Sequence, residues 1–422
     1  MCEKTESLSQ LTRSKVRRVF ITGFGVVSPF GIGREAFFTG LRSGRVAIRR
    51  VDQELDLKGI EAKVAAPCTD FDPGAFLSPR RARRLGRASQ MAIVAAKLAV
   101  EEAGLDPKRG EGAVVVGTGI GALEILLENH ASFLSRGPER VSPFLIPLMM
   151  PNAPAAEVSI ELGIKGPSFG VATACAASAH AIGLAYQLVR AGQVDWALAG
   201  GTEAVILPLV LAAFERMGAL SRNPDPEKAS RPFDRDRDGF VLGEGAAILT
   251  LESEEHLRSR GGEALAEIAG FGQSSDAFHI TAPPEDGEGA YHAMIAALRD
   301  AGLSAEHVDY VNAHGTSTPL NDRVETVALK KLLAERAYEV PVSSTKSQIG
   351  HLLGAAGAAE VGAVLFAFLE GLIPATVTWQ NRDPECDLDY VPGLPRPAKV
   401  RVALKNSFGF GGQNAALVLR AI

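Results

Sequence analysis

The stretch RRVFITGFGVVSPFG (17–31) sets the pattern on which the rest of the chain is built. Its β-branched and aromatic run predicts a buried strand, and the glycines that follow predict a turn into a loop. The stretch ALAEIAGFGQSSD (264–276) repeats this order of apolar run and Gly-Phe-Gly. The repeat indicates that one α/β unit has been duplicated, although a match this short also arises by chance. Without the full set of glycines and a downstream acid, GFG is weak evidence for a phosphate-binding loop.

Apolar helices alternate with nearly continuous apolar strands beyond the first stretch. The helical pattern RASQMAIVAAKLAVEEAGL (87–105) precedes the strand EGAVVVGTGIG (111–121). A second apolar helix, ASAHAIGLAYQLVRAGQ (177–193), precedes the strand VDWALAGGTEAV (194–205). This alternation is typical of α/β layers around a mostly buried sheet.

The composition limits the function classes that need to be considered. The chain has 422 residues, of which 46% are hydrophobic, and a formal net charge of −5. This length allows two similar halves or one large fused domain. The small net charge gives no sign of a nucleic-acid partner. The cysteines are scattered, without a CxxC pair or metal-ligand spacing, so neither a disulfide framework nor a structural metal site is expected.

The N-terminal segment, residues 1–16, is charged and polar and lacks the apolar core of a signal peptide. It predicts a flexible tail. Apolar stretches elsewhere end at glycine, proline or charge before the roughly 18 residues that a bilayer span requires, so no membrane span is predicted. These features predict a cytoplasmic protein.

One cysteine, in VATACAASAHAIG (171–183), stands where an apolar run meets the start of a predicted helix. A thiol attacks as its thiolate, and the unpaired N–H groups of a helix N-terminus lower a thiol pKa. If the helix begins near Ala176, Cys175 is a candidate nucleophile whose small neighbours leave room for an acyl group. The alternative is a buried structural cysteine.

Two histidines occupy similar corners between a strand and a helix. His314 lies in NAHGTSTPLND (312–322), and His351 lies in STKSQIGHLLGAAG (344–357). Such corners converge on one face of a layered α/β fold, so both rings are expected beside Cys175. For either ring alone, a core histidine bonded to a backbone carbonyl is the alternative.

Lys346 adds a charge to the His351 corner. A lysine near an active site holds a catalytic pKa in place or fixes a loop through a carboxylate, and Glu360 and Asp322 are its candidate partners. A solvated loop lysine is the alternative.

The segment NSFGFGGQNA (406–415) combines glycines with two phenylalanines near the C-terminus. The glycines leave backbone N–H groups free, as an oxyanion hole or a moving gate requires. A tight β-turn without a function fits the same composition equally well.

Four motifs, in this order, together resemble those of the β-ketoacyl-acyl carrier protein synthases, particularly the elongating KAS II type. They are TACAAS, NAHGTST, KSQIGHLLGAAG and NSFGFGG. The resemblance extends from about residue 17 to the C-terminus. It implies a thiolase-like α/β fold in which two duplicated βαβαβ halves, residues 17–262 and 263–422, pack as five αβαβα layers.

The same resemblance implies a decarboxylating condensation that elongates fatty acids. Cys175 would take an acyl chain from a carrier protein as a thioester. Malonyl-carrier protein would then lose CO2, and its carbanion would extend the chain by two carbons. His314 and His351 would assist decarboxylation, and Lys346 would orient the His351 corner by pairing with Glu360.

Other positions acquire binding roles through the resemblance. The backbone N–H groups of Cys175 and Phe410 would form an oxyanion hole, and Phe410 resembles a gate that moves once the cysteine is acylated. Thr281, Thr316 and Thr318 resemble hydroxyls that bind the pantetheine arm. That arm arrives on the carrier protein, and no tightly bound cofactor is implied.

The acyl pocket departs from the family pattern. Ile120, Leu145 and Ile146 are its predicted lining, and Leu145 stands where the family commonly has a phenylalanine. Gln413 replaces a threonine of the gating loop. These departures predict an altered preference for acyl chain length.

An arginine-rich stretch, SPRRARRLGR (78–87), matches the carrier-docking region of the family. Arg80, Arg83 and Arg84 are expected to bind the acidic carrier protein. A solvated helix face is the alternative. The resemblance also implies a homodimer.

The nearest alternative function is the ketosynthase α subunit of a type II polyketide or aryl-polyene system, paired as a heterodimer with a chain-length factor. A chain-length factor itself lacks the nucleophile, so Cys175 disfavours that assignment. A degradative thiolase needs a second catalytic cysteine, and neither Cys68 nor Cys386 lies in a Gly-rich corner. The motifs do not suggest the water-activating arrangement of a cysteine hydrolase.

Overall fold

The computed structural model describes residues 16–422, and the predicted tail lies outside this range except for Val16. The strands, in chain order, are β1 (Val19–Ser28), β2 (Gly31–Ile32), β3 (Arg49–Arg50), β4 (Val64–Ala65), β5 (Gly112–Gly117), β6 (Ser168–Val171), β7 (Trp196–Glu203), β8 (Gly245–Ser253), β9 (Ala266–Ser275), β10 (Tyr310–Asn312), β11 (Val342–Ser343), β12 (Leu372–Ile373), β13 (Arg396–Pro397), β14 (Val402–Gly409) and β15 (Gln413–Arg420). The α-helices are α1 (Arg34–Ser43), α2 (Pro79–Ala82), α3 (Arg87–Ala103), α4 (Leu123–Arg136), α5 (Leu145–Met149), α6 (Ala153–Leu162), α7 (Ala177–Arg190), α8 (Pro208–Arg216), α9 (Pro226–Ala229), α10 (Glu254–Ser259), α11 (Glu288–Asp300), α12 (Pro319–Leu333), α13 (Lys346–Ile349) and α14 (Ala356–Glu370).

The main sheet consists of two halves with the same strand order. The first half runs β6-β5-β7-β8-β1, and the second runs β11-β10-β14-β15-β9. In both halves the first three of these strands are parallel, and the last two are antiparallel to their neighbours. Strands β1 and β9 pair near their N-terminal ends and join the halves. The repeated order and directions confirm the predicted duplication.

Helices complete the five layers. Between the two halves of the sheet, α7 contacts β5 and β7 on one side and β9 and β15 on the other. Its neighbour α14 contacts β14, β7 and β8, and the two helices touch each other. Helices α3 and α6 cover the outer face of the first half, and α11 and α12 cover that of the second. The predicted αβαβα arrangement is therefore confirmed.

The central position of α14 explains its composition. The segment Leu353–Glu370 is long and apolar enough to cross a bilayer, a length that the sequence analysis underestimated, but 83% of it is buried inside the fold. A helix enclosed by protein on all sides is apolar around its whole circumference. The predicted boundary between residues 262 and 263 lies in the segment that connects α10 to β9, and it stays a prediction.

The GFG motifs lie within strands, which corrects the predicted turn. Strand β1 continues past Gly25 to Ser28. A Cβ atom on Gly25 would lie 1.9 Å from the carbonyl oxygen of Ala95 in α3, and one on Gly272 would lie 2.1 Å from that of Ala293 in α11. In both halves the missing side chain lets a helix backbone touch the strand.

We expect Gly25→Ala to lower the free energy of unfolding by about 3 kcal/mol, because the added methyl would overlap the α3 backbone. Gly163→Ala is the control, since a Cβ there meets no neighbour. Gly163 has a positive φ of 70°, and an alanine in that conformation lowers the free energy of unfolding by about 1 kcal/mol. Urea unfolding of both variants checks this, and equal losses would contradict the close-packing role.

Candidate active site

Cys175, His314 and His351 line one cavity of about 500 Å³. All are buried, with Cys175 8% exposed and the histidines 3% and 2% exposed. They come from different corners of the fold: Cys175 precedes α7, His314 follows β10, and His351 follows α13. The structure therefore brings together the side chains that the sequence motifs separate widely.

The cysteine corner and its counterpart in the second half have the same backbone shape. Cys175 lies in a short 3₁₀ turn, Ala174–Ala176, and α7 begins at Ala177, one residue after the predicted start. In the second half, the 3₁₀ turn Leu353–Ala355 precedes α14. Ala174 has φ 48° and Leu353 has φ 47°, so both turns begin with a strained left-handed residue.

The resting thiol is not acidified as predicted. Burial raises the pKa of the Cys175 thiol to about 12, and the Glu203 carboxylate acts in the same direction. The Lys346 ammonium and the backbone N–H groups of Phe410 and Cys175 lower this pKa, but they do not offset desolvation. The predicted direction is wrong because the sulfur lies away from water. A neighbouring base must take the proton when the thiol reacts.

The two imidazoles are placed to act as neutral groups. Their centroids are 5.4 Å apart, with the ring planes at 80°. Burial lowers the pKa of His314 and of His351 well below 6.5, and the Lys346 and Lys405 ammonium charges lower both further. Nδ1 of His351 accepts the Leu353 N–H at 3.2 Å, so the neutral ring carries its proton on Nε2. Among the described residues, that Nε2 has no hydrogen-bond partner.

Lys346 pairs with Glu360, as the resemblance implies. Its Nζ also donates to the His314 carbonyl oxygen at 2.5 Å, so the lysine connects both histidine corners. Asp322, the other proposed partner, does not contact Lys346. It accepts the Thr316 N–H at 3.0 Å instead and holds the loop that follows His314.

Three buried charged residues of the site were missed by the sequence analysis. Glu203 accepts the N–H groups of the Gly119 and Gly354 loops at 2.6 and 3.0 Å. Glu325 accepts the His314 N–H at 2.9 Å. Lys405 lies 2.8 Å from Glu360. Glu203 and Lys405 are charges in otherwise apolar strands, and that irregularity is the signal that could have revealed them. Glu325 lies in the charged helix α12 and carries no such signal.

The predicted binding residues divide into two groups. Thr281, Thr316, Thr318 and Phe410 line the cavity together with Ile120. The hydroxyls of Thr316 and Thr318 are 2.8 Å apart.

The other predicted pocket residues lie outside this cavity. Leu145 and Ile146 belong to α5 and do not line it, and Ile146 is 60% exposed. Gln413 begins β15 with its Oε1 buried and without a hydrogen-bond partner among the described residues.

In the arginine-rich segment, some arginines form ion pairs and others do not. Arg81 pairs with carboxylates of α6, and Arg87 pairs with Glu244. Arg80, Arg83 and Arg84 are exposed and form no ion pair within residues 16–422. These three are the arginines that the sequence analysis assigned to docking.

Comparison with known proteins identifies the same family along nearly the whole chain. The model of the β-ketoacyl synthase N-terminal domain matches residues 16–256, and that of the C-terminal domain matches residues 265–380. A curated relative from Synechocystis, "3-oxoacyl-[acyl-carrier-protein] synthase 2", is 46% identical over 96% of this chain and 98% of its own length. A relative of the same name from Rhizobium meliloti is also 46% identical, over 96% of this chain and 99% of its own.

Solved structures share the fold as well. One of them, "The ishigamide ketosynthase/chain length factor", superposes with a TM-score of 0.90 at 38% identity. The superposition covers 97% of this chain and 100% of that one.

Because burial raises the Cys175 pKa, we expect its alkylation by iodoacetamide to speed up about tenfold per pH unit, without a plateau between about pH 7 and pH 10. Peptide mass spectrometry after timed labelling separates Cys175 from Cys68 and Cys386. N-acetylcysteine, labelled in parallel, reports the plateau of an ordinary thiol. A plateau at Cys175 below about pH 8 would show that the dipole outweighs desolvation.

Proposed function

Because the chain belongs to the β-ketoacyl synthase family, we propose that it condenses an acyl thioester with malonyl-acyl carrier protein, with loss of CO2, to give β-ketoacyl-acyl carrier protein. The convergence of the buried side chains of Cys175, His314 and His351 on one cavity carries this proposal. The curated relatives, named 3-oxoacyl-[acyl-carrier-protein] synthase 2, favour fatty acid elongation over polyketide synthesis.

In the first step the enzyme takes the acyl chain. The Cys175 sulfur attacks the thioester carbonyl, and its proton passes to a neutral imidazole of the cavity. The tetrahedral oxyanion is bound by the backbone N–H groups of Cys175 and Phe410, which already point at the sulfur in the resting site. Collapse expels the carrier-protein thiol, which takes the proton, and leaves the acyl chain on Cys175.

In the second step malonyl-carrier protein loses CO2. The electron pair of the broken C–C bond moves onto the thioester oxygen as an enolate. Nε2–H of His351 is free to donate to that oxygen, and we assign the His314 ring to the same charge. Hydrogen-bond donors fixed in a dry site stabilise such a charge by several kcal/mol.

In the third step the enolate carbon attacks the acyl group on Cys175. The oxyanion again forms beside the N–H groups of Cys175 and Phe410. When it collapses, Cys175 leaves as thiolate, which now carries the negative charge that arrived on the malonyl carboxylate, and a proton from solvent restores the thiol. The product is longer by two carbons and departs on the carrier protein.

We assign Thr281, Thr316 and Thr318 to binding of the pantetheine arm, and their position in the lining of the cavity supports this assignment. The arm would bring the reacting thioester, so no tightly bound cofactor is needed. Phe410 would act as the gate. We place the enzyme in the cytoplasm, where acyl carrier proteins are found.

We propose that a second copy of the chain covers one apolar face. Exposed apolar side chains lie on α4, at the start of and within α5, on α6 and on the edge strand β6. In chain order they are Phe133, Leu134, Phe144, Ile146, Ile160 and Phe169. An exposed edge strand with apolar neighbours is a template for pairing with another chain. Covering α5 would enclose Leu145 and Ile146 and complete the acyl pocket. A chain-length factor on the same face is the heterodimeric alternative.

The decisive variant is Cys175→Ala, which should abolish acyl transfer while leaving the fold intact. Intact-protein mass spectrometry with acyl-carrier proteins of graded length detects the adduct on the native chain. Malonyl-carrier protein should then elongate the adduct by two carbons and release it. Adducts that stall without a partner subunit would favour the polyketide function.

Histidine variants separate the half-reactions within the same experiment. His314→Ala and His351→Ala should each slow decarboxylation at least about 100-fold, since each removes an enolate donor, and should slow acylation less. Equal loss of both half-reactions would contradict the assigned roles.

Carrier docking predicts a charge-dependent change in kcat/KM. The double variant Arg83→Glu, Arg84→Glu should lower kcat/KM for acyl-carrier protein at least about tenfold at low salt. It should leave kcat/KM for a free acyl-pantetheine thioester nearly unchanged. Arg382→Glu, at an exposed position elsewhere, is the control. An equal effect of both charge reversals would refute a local docking site.

A further inference from the structure

A second buried lysine lies beside the catalytic cavity without a part in the mechanism described so far. Lys405 is on β14 and is fully buried. Its Nζ lies 2.8 Å from Oε2 of Glu360 and donates to the Asn406 carbonyl oxygen at 2.7 Å and to the Ser407 hydroxyl. Burying an ammonium group is costly unless the group is paired and hydrogen-bonded, and these three contacts offset that cost for Lys405.

Glu360 connects this lysine to the active site. One carboxylate oxygen faces Lys405, and the other faces Lys346. Lys346 in turn donates to the His314 carbonyl oxygen. A continuous path therefore runs from β14 through α14 and α13 to His314, and every side chain on it is buried.

Titratable groups on five elements surround this path. Lys346 of α13 and Lys405 of β14 are the cations, and Glu360 of α14 and Glu325 of α12 are the anions. Tyr310 of β10 adds a neutral hydroxyl. Glu325 is occupied by the backbone N–H groups of His314 and Gly315 and by the Asn406 amide. One carboxylate, that of Glu360, is thus shared by both ammonium groups.

We propose that Lys405 is a positioning residue for the condensation: through Glu360 it fixes Lys346, and its charge keeps His314 and His351 unprotonated during turnover. Burial is the largest cause of the lowered pKa of both histidines, and the Lys346 and Lys405 charges act in the same direction. The inference rests on the proposed condensation, because neutral rings matter for that reaction.

Protonation would hinder two steps. An imidazolium cannot accept the Cys175 proton. It would also pair with the malonyl carboxylate and stabilise the ground state against loss of CO2. Keeping both rings neutral therefore favours acyl transfer and decarboxylation together. Lys405, the second buried cation, keeps the rings neutral to a lower pH than Lys346 alone would.

The test compares Lys405→Gln with the charge-conserving Lys405→Arg in the full-length enzyme. Neutral histidines are the active form, so activity is lost on the acid side as the rings protonate. Without the Lys405 charge, the acid limb of kcat for malonyl-carrier protein decarboxylation should move up by about one pH unit or more. Lys405→Arg should keep the limb near that of the unmodified enzyme, and Lys399→Gln, at an exposed lysine, should not move it.

A Lys405→Gln enzyme that is slower at every pH with an unmoved acid limb would overturn the proposal and leave a purely structural role. A second measurement needs neither turnover nor a stable Lys405 variant. Nitrogen-15 NMR of labelled histidine rings in the unmodified enzyme, assigned with His314→Asn and His351→Asn, should show both rings neutral at about pH 6. An imidazolium signal with a midpoint at or above 6.5, the ordinary value, would overturn the inference even if condensation itself were absent.

Discussion

The close contact between the N-terminal ends of α7 and α14 is the constraint on which the site depends. The Ser178 hydroxyl of α7 accepts the Ala358 N–H of α14 at 3.0 Å. A Cβ on Gly357 would lie 2.9 Å from the Ala179 nitrogen, and one on Gly201 would lie 2.4 Å from the Gly354 oxygen. Larger side chains here would separate the two corners and thus Cys175 from His351. The small-residue composition of these segments is therefore what allows the layered fold to have a catalytic centre.

Desolvation links the packing to the chemistry. The same burial that brings the corners together raises the pKa of Cys175 and lowers that of His314 and His351. The resting pair is consequently thiol and neutral imidazole rather than thiolate and imidazolium. In this state neither Cys175 nor the histidines carry a charge. Negative charge develops only when the sulfur attacks a substrate carbonyl, whose oxygen then carries it.

Much of this could be predicted from the sequence, for identifiable reasons. Strand and helix periodicity and the repeated GFG indicated the duplicated α/β halves, and the motifs around Cys175, His314 and His351 indicated the cavity. The direction of the thiol pKa could not be predicted, because it depends on how completely distant segments exclude water. Glu203, Glu325 and Lys405 were missed for a related reason: each of these charges acquires its partners only when distant elements assemble. Asp322 shows the converse: it was a candidate partner of Lys346, but in the fold its carboxylate accepts the backbone N–H of Thr316 instead.

The equivalent turns before α7 and α14 show what the doubling of the fold made available. The two halves have the same strand order, and Cys175 and Gly354 occupy matching positions of their turns. In a symmetric ancestor of two identical subunits, both positions would carry the same residue, and a nucleophile on each would crowd the other. Fusion into one chain lets the halves diverge, so one turn retains a reactive side chain while the other keeps only backbone. One turn thus carries the nucleophile, and the other packs against the loop that follows β5, where a Cβ on Gly354 would lie 2.3 Å from the Gly119 nitrogen.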